Sequence, residues 1–145
     1  MRTHYLHRAA AVAAALSVSA ISCKKAPPPP PAAPPPAPVA VASVDLGKQL
    51  DPDKRVVQAM ATFGTRDTIY ASVATTGAAT SAVLTAKWTF QTGQTVDSTT
   101  TAIAPTGPAQ TEFHIVKASR WPAGKYKVAI WLDGQLAGEK EFEVK

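Results

Sequence analysis

Val83-Leu84-Thr85-Ala86-Lys87-Trp88-Thr89-Phe90-Gln91 decides the fold class of this chain. Leu84, Ala86, Trp88 and Phe90 alternate with Thr85, Lys87, Thr89 and Gln91. A period of two puts one set on a buried face and the other in solvent, the signature of a half-buried strand. The same alternation recurs on both sides. Ile69, Ala71 and Val73 show it upstream, and Phe113 with Ile115 downstream. Tyr126, Val128, Ile130 and Leu132 alternate with Lys125, Lys127, Ala129 and Trp131, and Phe142 and Val144 with Glu141, Glu143 and Lys145. Turn-forming clusters separate the runs: Thr75-Thr76-Gly77, Thr92-Gly93-Gln94, Pro105-Thr106-Gly107-Pro108, Pro122-Ala123-Gly124 and Asp133-Gly134. Short strands at this spacing predict an all-β, antiparallel β-sandwich. Thr95–Ile103 is threonine-rich with little apolar content and reads as an exposed edge strand. Residues 51–62 admit two readings. Asp51-Pro52-Asp53 either caps a helix running to about Thr62, or forms a type I turn joining strands near 41–46 and 55–61. The Val56-Val57 pair favours the turn.

The last hairpin carries a register argument. If Tyr126 to Leu132 and Phe142, Val144 all face inward, partners across the hairpin share parity. A plain two-residue Asp133-Gly134 loop would pair even positions with odd ones, so a three-residue loop or a bulge is required, with Gly138 a natural bulge site. Pairing Leu132 with Leu136 then sets Lys127 opposite Glu141 and Lys125 opposite Glu143. Exposed pairs of this kind contribute only about 0.2–1 kcal/mol each but help set register.

Trp88 in a central strand, followed some 40 residues later by Gly124-Lys125-Tyr126-Lys127-Val128, resembles the immunoglobulin-like sandwich. In that family a buried tryptophan on strand C faces strand F, which opens with a tyrosine corner. The resemblance covers roughly 56–145 and implies a single immunoglobulin-like domain over 44–145. The inter-sheet disulfide is absent, because the only cysteine is Cys23. Trp88, Tyr126 and the aliphatics must therefore carry the core.

Upstream of the domain the chain changes character. A basic start with Arg2 and Arg8 precedes an apolar stretch over 9–21, then Cys23, Lys24, Lys25 and a Pro/Ala run. The apolar stretch suits the core of a secretory signal and falls short of the roughly 20 residues a membrane span needs. With Ile21 and Ser22 before it, Cys23 resembles the lipobox cysteine of bacterial lipoproteins, although Ala20 stands where that family usually has Leu, Val or Ile. The resemblance implies a signal peptide over 1–22, diacylglyceryl transfer to Cys23, cleavage just before it and acylation of the new amine. It also implies an outer-membrane destination in the cell envelope, since Lys24 occupies the place of the inner-membrane retention Asp. The alternative exit is cleavage after Val18-Ser19-Ala20, which leaves a soluble secreted protein starting at Ile21. A single acyl chain binds only marginally; three such chains anchor firmly. Nine of the thirteen prolines fall within 27–38. The segment 23–43 therefore reads as a polyproline II tether, reaching roughly 60 Å at about 3.1 Å per residue.

The net charge of +5 drops to +1 once Arg2, Arg8, Lys24 and Lys25 are set aside, which lends no support to nucleic-acid binding. No HxH, HExxH, CxxC, phosphate loop or G-x-S-x-G occurs, so neither a catalytic centre nor a metal or cofactor is expected. His114, between Phe113 and Ile115, belongs on an outward face. Asp51 and Asp53 lack the glycine and terminal glutamate of an EF-hand, and Glu139, Glu141 and Glu143 read as a charged outer face. The candidates for partner contact are Trp131 and Trp121 with Lys127, as aromatics beside charge. The functional expectation is a membrane-anchored, non-catalytic module that binds an envelope protein or polymer. The other architectural possibility is self-assembly through the threonine-rich edge.

Overall fold

The computed structural model describes residues 35–145. The signal segment 1–22, Cys23 and the tether as far as residue 34 lie outside the described residues. Eight strands follow in order: β1 (Ala40–Gly47), β2 (Thr62–Phe63), β3 (Ile69–Thr76), β4 (Ala82–Phe90), β5 (Thr95–Ile103), β6 (Ala109–Ile115), β7 (Gly124–Leu132) and β8 (Gln135–Val144). They form a three-stranded sheet, β1-β3-β6, and a five-stranded sheet, β2-β8-β7-β4-β5. All pairings are antiparallel except β2 with β8. The alternating runs lie where their periodicity puts them. Leu84, Ala86, Trp88, Val128 and Ile130 point inward from one sheet, and Ile69, Ala71, Val73 and Phe113 from the other. The Leu, Ile, Val and Phe side chains among them contribute roughly 1.5–3 kcal/mol each on burial, and together these residues make one core.

Phe142 and Tyr126 stand opposite each other on β8 and β7 with their rings stacked at 5.3 Å. Around that pair gather Phe63 and Trp88 against Phe142, and Phe90 and Trp121 against Tyr126. The Tyr126 hydroxyl donates to the Pro122 carbonyl at 2.8 Å, which is the tyrosine corner at the start of β7.

Three expectations need correction. First, the domain begins earlier than residue 44. β1 starts at Ala40, Pro38 already bridges Ala78, and the Ala78 N–H donates to the Ala37 carbonyl at 2.9 Å. The alternation of small apolar residues continues upstream of residue 44, and Val41 packs against the core. Gly77, at φ +82°, leaves room for this approach, since a Cβ there would run into the Pro38 carbonyl.

Second, 51–62 holds a turn and no helix, but 55–61 is no strand either. The Asp51 carboxylate accepts N–H bonds from Asp53 and Arg55, closing a tight turn that leaves Lys54 at φ +64°. Beyond a single bridge from Leu50 to Val56 the pairing stops, and Val57 is 62% exposed. The chain is leaving one sheet for the other. Met60 still donates to the Leu46 carbonyl, whereas Ala61 and Phe63 accept from Glu143 of β8 and from Lys145 just beyond it.

Third, the hairpin combines a two-residue loop with a bulge. Asp133 and Gly134, both at positive φ, form the loop, so Leu132 pairs with Gln135 and Trp131 with Leu136. Ala137 is the extra residue; Ile130 then faces Gly138, and parity is restored. Lys127 opposes Glu141 and Lys125 opposes Glu143, as the parity argument requires. The charges themselves pair elsewhere. Lys127 reaches diagonally to Glu139 at 3.4 Å, and Glu143 to Lys145 at 3.1 Å, because exposed long side chains gain little from one fixed geometry.

The turn between β2 and β3 hangs on Asp67. Its carboxylate takes the Lys48 ammonium at 2.6 Å and the Gly64 N–H at 2.6 Å. The Lys48 hydrogen bond, then that of Gly64, hold its pKa below the ordinary carboxylate value, against a smaller opposing effect of burial. A depressed folded pKa stabilises fully above the unfolded value, near 3.9, and the effect disappears as pH falls through the folded pKa. The urea midpoint should therefore fall as pH drops below about 4. Asp67→Asn should flatten that part of the profile and cost about 1 kcal/mol at neutral pH, measured by urea titration across pH.

Candidate functional site

Of the three residues expected at a contact surface, two share a face. Odd-numbered residues of β7 point away from the core, so Lys127 and Trp131 lie on the outer face of the five-stranded sheet, about 13 Å apart along the strand. Trp121 does not join them. It is 3% exposed, its backbone N–H donates to the Thr65 carbonyl at 2.7 Å, and its indole N–H donates to the Asp67 carbonyl at 2.9 Å. Its ring stands edge-on to Tyr126, with the Lys117 ammonium 5.7 Å from its centroid. The turn position before Pro122 suggested exposure, yet both donors find carbonyls in the 64–67 turn, and the ring closes the end of the core. Trp121 is a structural residue; its exposure is corrected.

Trp131 is half-buried, and its indole N–H is shielded without a hydrogen-bond partner among the described residues. Such a group costs about 1–3 kcal/mol. The register supplies its neighbours: Thr85 directly opposite on β4, Val83 and Lys87 diagonally, and Leu136 directly opposite on β8. Val83 is 38% exposed and Leu136 52% exposed. One end of this face is therefore an apolar patch, Val83, Trp131 and Leu136. Toward the other end lies a shallow hollow lined by Thr89, Gln91, Lys125, Lys127 and Glu141. Lys127, tied to Glu139, stands between the two.

Sequence reasoning placed Leu136 inside, opposite Leu132. The bulge at Ala137 turns it out beside Trp131 instead, so the patch was not legible from periodicity. The Asp133-Gly134 dipeptide was the available signal, since its two-residue loop forces Leu136 onto the Trp131 side before parity is restored. Asp133 also ties the patch to β4: its N–H donates to the Val83 carbonyl at 2.8 Å and its carboxylate accepts the Val83 N–H at 2.7 Å.

Elsewhere, His114 is exposed on β6 and leans on Tyr70 at 5.5 Å. The carboxylates of Asp51 and Asp53 remain within a turn, and Glu139, Glu141 and Glu143 alternate along β8. Among the described residues no three His, Cys, Asp or Glu side chains come together to hold a metal ion.

Neither a family model nor a curated protein sequence matches this chain. Solved structures do. An immunoglobulin-like protein from Pseudomonas aeruginosa is similar over 75% of this chain and 98% of its own, at 13% identity and a TM-score of 0.53. The domain is an immunoglobulin-like β-sandwich. Its β4 tryptophan and β7 tyrosine corner occupy the places that fold reserves for them. A β-glucosidase of intestinal bacteria involved in saponin metabolism is similar over 74% of this chain but only 16% of the enzyme, at 14% identity and a TM-score of 0.50. An alkylpurine DNA glycosylase from Pseudomonas fluorescens matches over 74% of this chain and 30% of its own length, at 17% identity and a TM-score of 0.49. The chain thus spans only a minor part of each enzyme.

Three tryptophans in three environments give a direct check. Trp88 and Trp121 are buried, so acrylamide should quench mainly Trp131. Trp131→Phe should remove most of the quenchable emission, and Trp121→Phe should leave it in place.

Proposed function

We propose that this chain is a membrane-anchored lipoprotein of the bacterial envelope whose immunoglobulin-like domain holds a protein or envelope polymer without catalysing a reaction. The anchor is read from Cys23 at the junction of an apolar leader and a Pro/Ala tether, with two lysines beside it. Each lysine near an anionic surface adds about 1 kcal/mol of membrane attraction. The contact surface is the outer face of the five-stranded sheet, and the observation that carries it is the patch of Val83, Trp131 and Leu136. A half-buried tryptophan flanked by exposed aliphatics and bordered by Lys87 and Lys127 has the composition of an interface anchor with a charged rim. The tether would hold this face away from the lipid, within reach of other envelope components.

Two measurements test the two halves separately. The intact mass of the protein from native membranes should correspond to a species that begins at Cys23 and carries acyl chains; a bare species beginning at Ile21 would make it a soluble secreted protein. For the contact face, capture from solubilised envelope and co-sedimentation with cell-wall sacculi should both be scored. Trp131→Ala should weaken the interaction about thirtyfold, the effect of losing an anchor of roughly 2 kcal/mol, while the melting temperature changes little. Undiminished binding by that variant, with the fold intact, would move the contact elsewhere.

A further inference from the structure

β5 ends the five-stranded sheet: β4 lies on one side, and among the described residues no strand lies on the other. Natural edges are guarded by lysine, proline, shortness or a bulge. This one has nine residues and neither lysine nor proline, and most of its side chains are exposed. Its one guard is at the start, where Val96 is the extra residue between the pairs Trp88–Asp97 and Thr89–Thr95. From Asp97 to Ile103 the ladder is regular, with Asp97 as the sole charge; Ser98, Thr100 and Ala102, the residues not bonded to β4, direct their backbone groups outward.

We propose that this edge pairs with the same edge of a second copy of the chain, antiparallel, about a two-fold axis through Thr100. Alternate residues of an edge strand direct N–H and C=O outward, and each must meet a residue that does the same. In a two-fold pair the axis must therefore pass through a residue rather than between two. An axis at Thr100 is the one that engages the whole regular segment 97–103. It sets Thr100 against Thr100, Thr99 against Thr101, Ser98 against Ala102 and Asp97 against Ile103. No like charges meet, and the two Asp97 carboxylates end up at opposite ends of the junction. Threonine pairs across strands are already used in this sheet, where Thr85 and Thr100 share a hydroxyl hydrogen bond at 3.0 Å. The contact is isologous, so it closes at two copies and joins two five-stranded sheets into one continuous sheet. The outer faces run on across the junction, with the two Trp131 strands about 24 Å apart at five strand spacings. This assembly stands independently of any ligand for the Trp131 face, because it uses backbone groups on a different strand.

The test uses the full chain in detergent with Cys23→Ser, so that any disulfide reports an introduced thiol. Light scattering coupled to size exclusion should show the protein mass rising with concentration from 15.1 kDa toward twice that value. Thr100→Cys should give an oxidised covalent dimer, because directly opposed residues lie within disulfide reach. Ser98→Cys should not, since its copies are offset by about 13 Å. Thr99→Lys, which restores a guard to the edge, should shift the dimerisation midpoint by at least about tenfold while the circular dichroism spectrum stays unchanged. A mass that stays monomeric up to submillimolar concentration would overturn the proposal. So would cross-linking that is as efficient at Ser98 as at Thr100, or a dimer indifferent to Thr99→Lys. Pairing of β5 with an unrelated extended peptide by a chain that remains monomeric would also overturn it.

Discussion

The sandwich closes around the side chain of Tyr126. Its ring meets Phe142 across the hairpin, Phe90 from β4 and Trp121 from the chain before β7, and its hydroxyl is tied to Pro122. Burial pushes the phenol pKa further up. Three aromatic contacts at about 0.5–1.5 kcal/mol each, with a hydrogen bond near 1 kcal/mol, add up to about what a disulfide supplies in a small domain. That comparison explains how an immunoglobulin-like core manages without its inter-sheet bridge. Val128, two residues after the tyrosine, stands where the second cysteine would be, and it is fully buried. The pin also determines who else is inside. Trp121 is held at the end of the core by Tyr126 and by the 64–67 turn, and that turn is in turn held by Asp67.

A second constraint comes from one inserted residue. With Asp133-Gly134 as the loop, β8 would present its charged positions to the core from Gln135 onward. Ala137 shifts the phase, so Phe142 and Val144 face inward and the glutamates outward. The same shift leaves Leu136 on the far side of the sheet beside Trp131. It also places Gly138 on the inner side opposite Ile130, where a Cβ would stand 3.2 Å from the Val44 side chain. The bulge therefore lets β1 approach β8 while creating an apolar patch outside. Fold closure and the candidate contact face share one cause.

The two surfaces of interest differ in kind. The Val83, Trp131 and Leu136 patch is made of side chains on a sheet face, suited to a partner with its own apolar anchor. The β5 edge is made of backbone groups, and it is selective through register rather than through side-chain shape. The proposed pairing of β5 would set two such faces side by side on one continuous sheet.

Much of the architecture was legible because strand periodicity is local. A residue's face depends only on its neighbours two positions away, so the inward set of β3, β4, β6 and β7 could be read directly. The exposed edge at Thr95–Ile103, the burial of Trp88 and the register that sets Lys127 opposite Glu141 followed from composition and parity, and the tyrosine corner from the resemblance to the immunoglobulin-like sandwich. The start of the domain at Ala40, the strandless course of 55–61, the burial of Trp121 and the exposure of Leu136 were not legible. The first three depend on a partner distant in sequence: Ala78 for Pro38, β8 for Phe63 and the Asp67 turn for Trp121; Leu136 depends on where the neighbouring bulge falls, at Ala137 rather than Gly138. The sequence by itself determined which residues alternate and where the chain turns, because sterics and burial act over a few residues. Only the tertiary structure decided which aromatic is a plug and which is a surface, because that depends on whether a carbonyl from another segment reaches its donor.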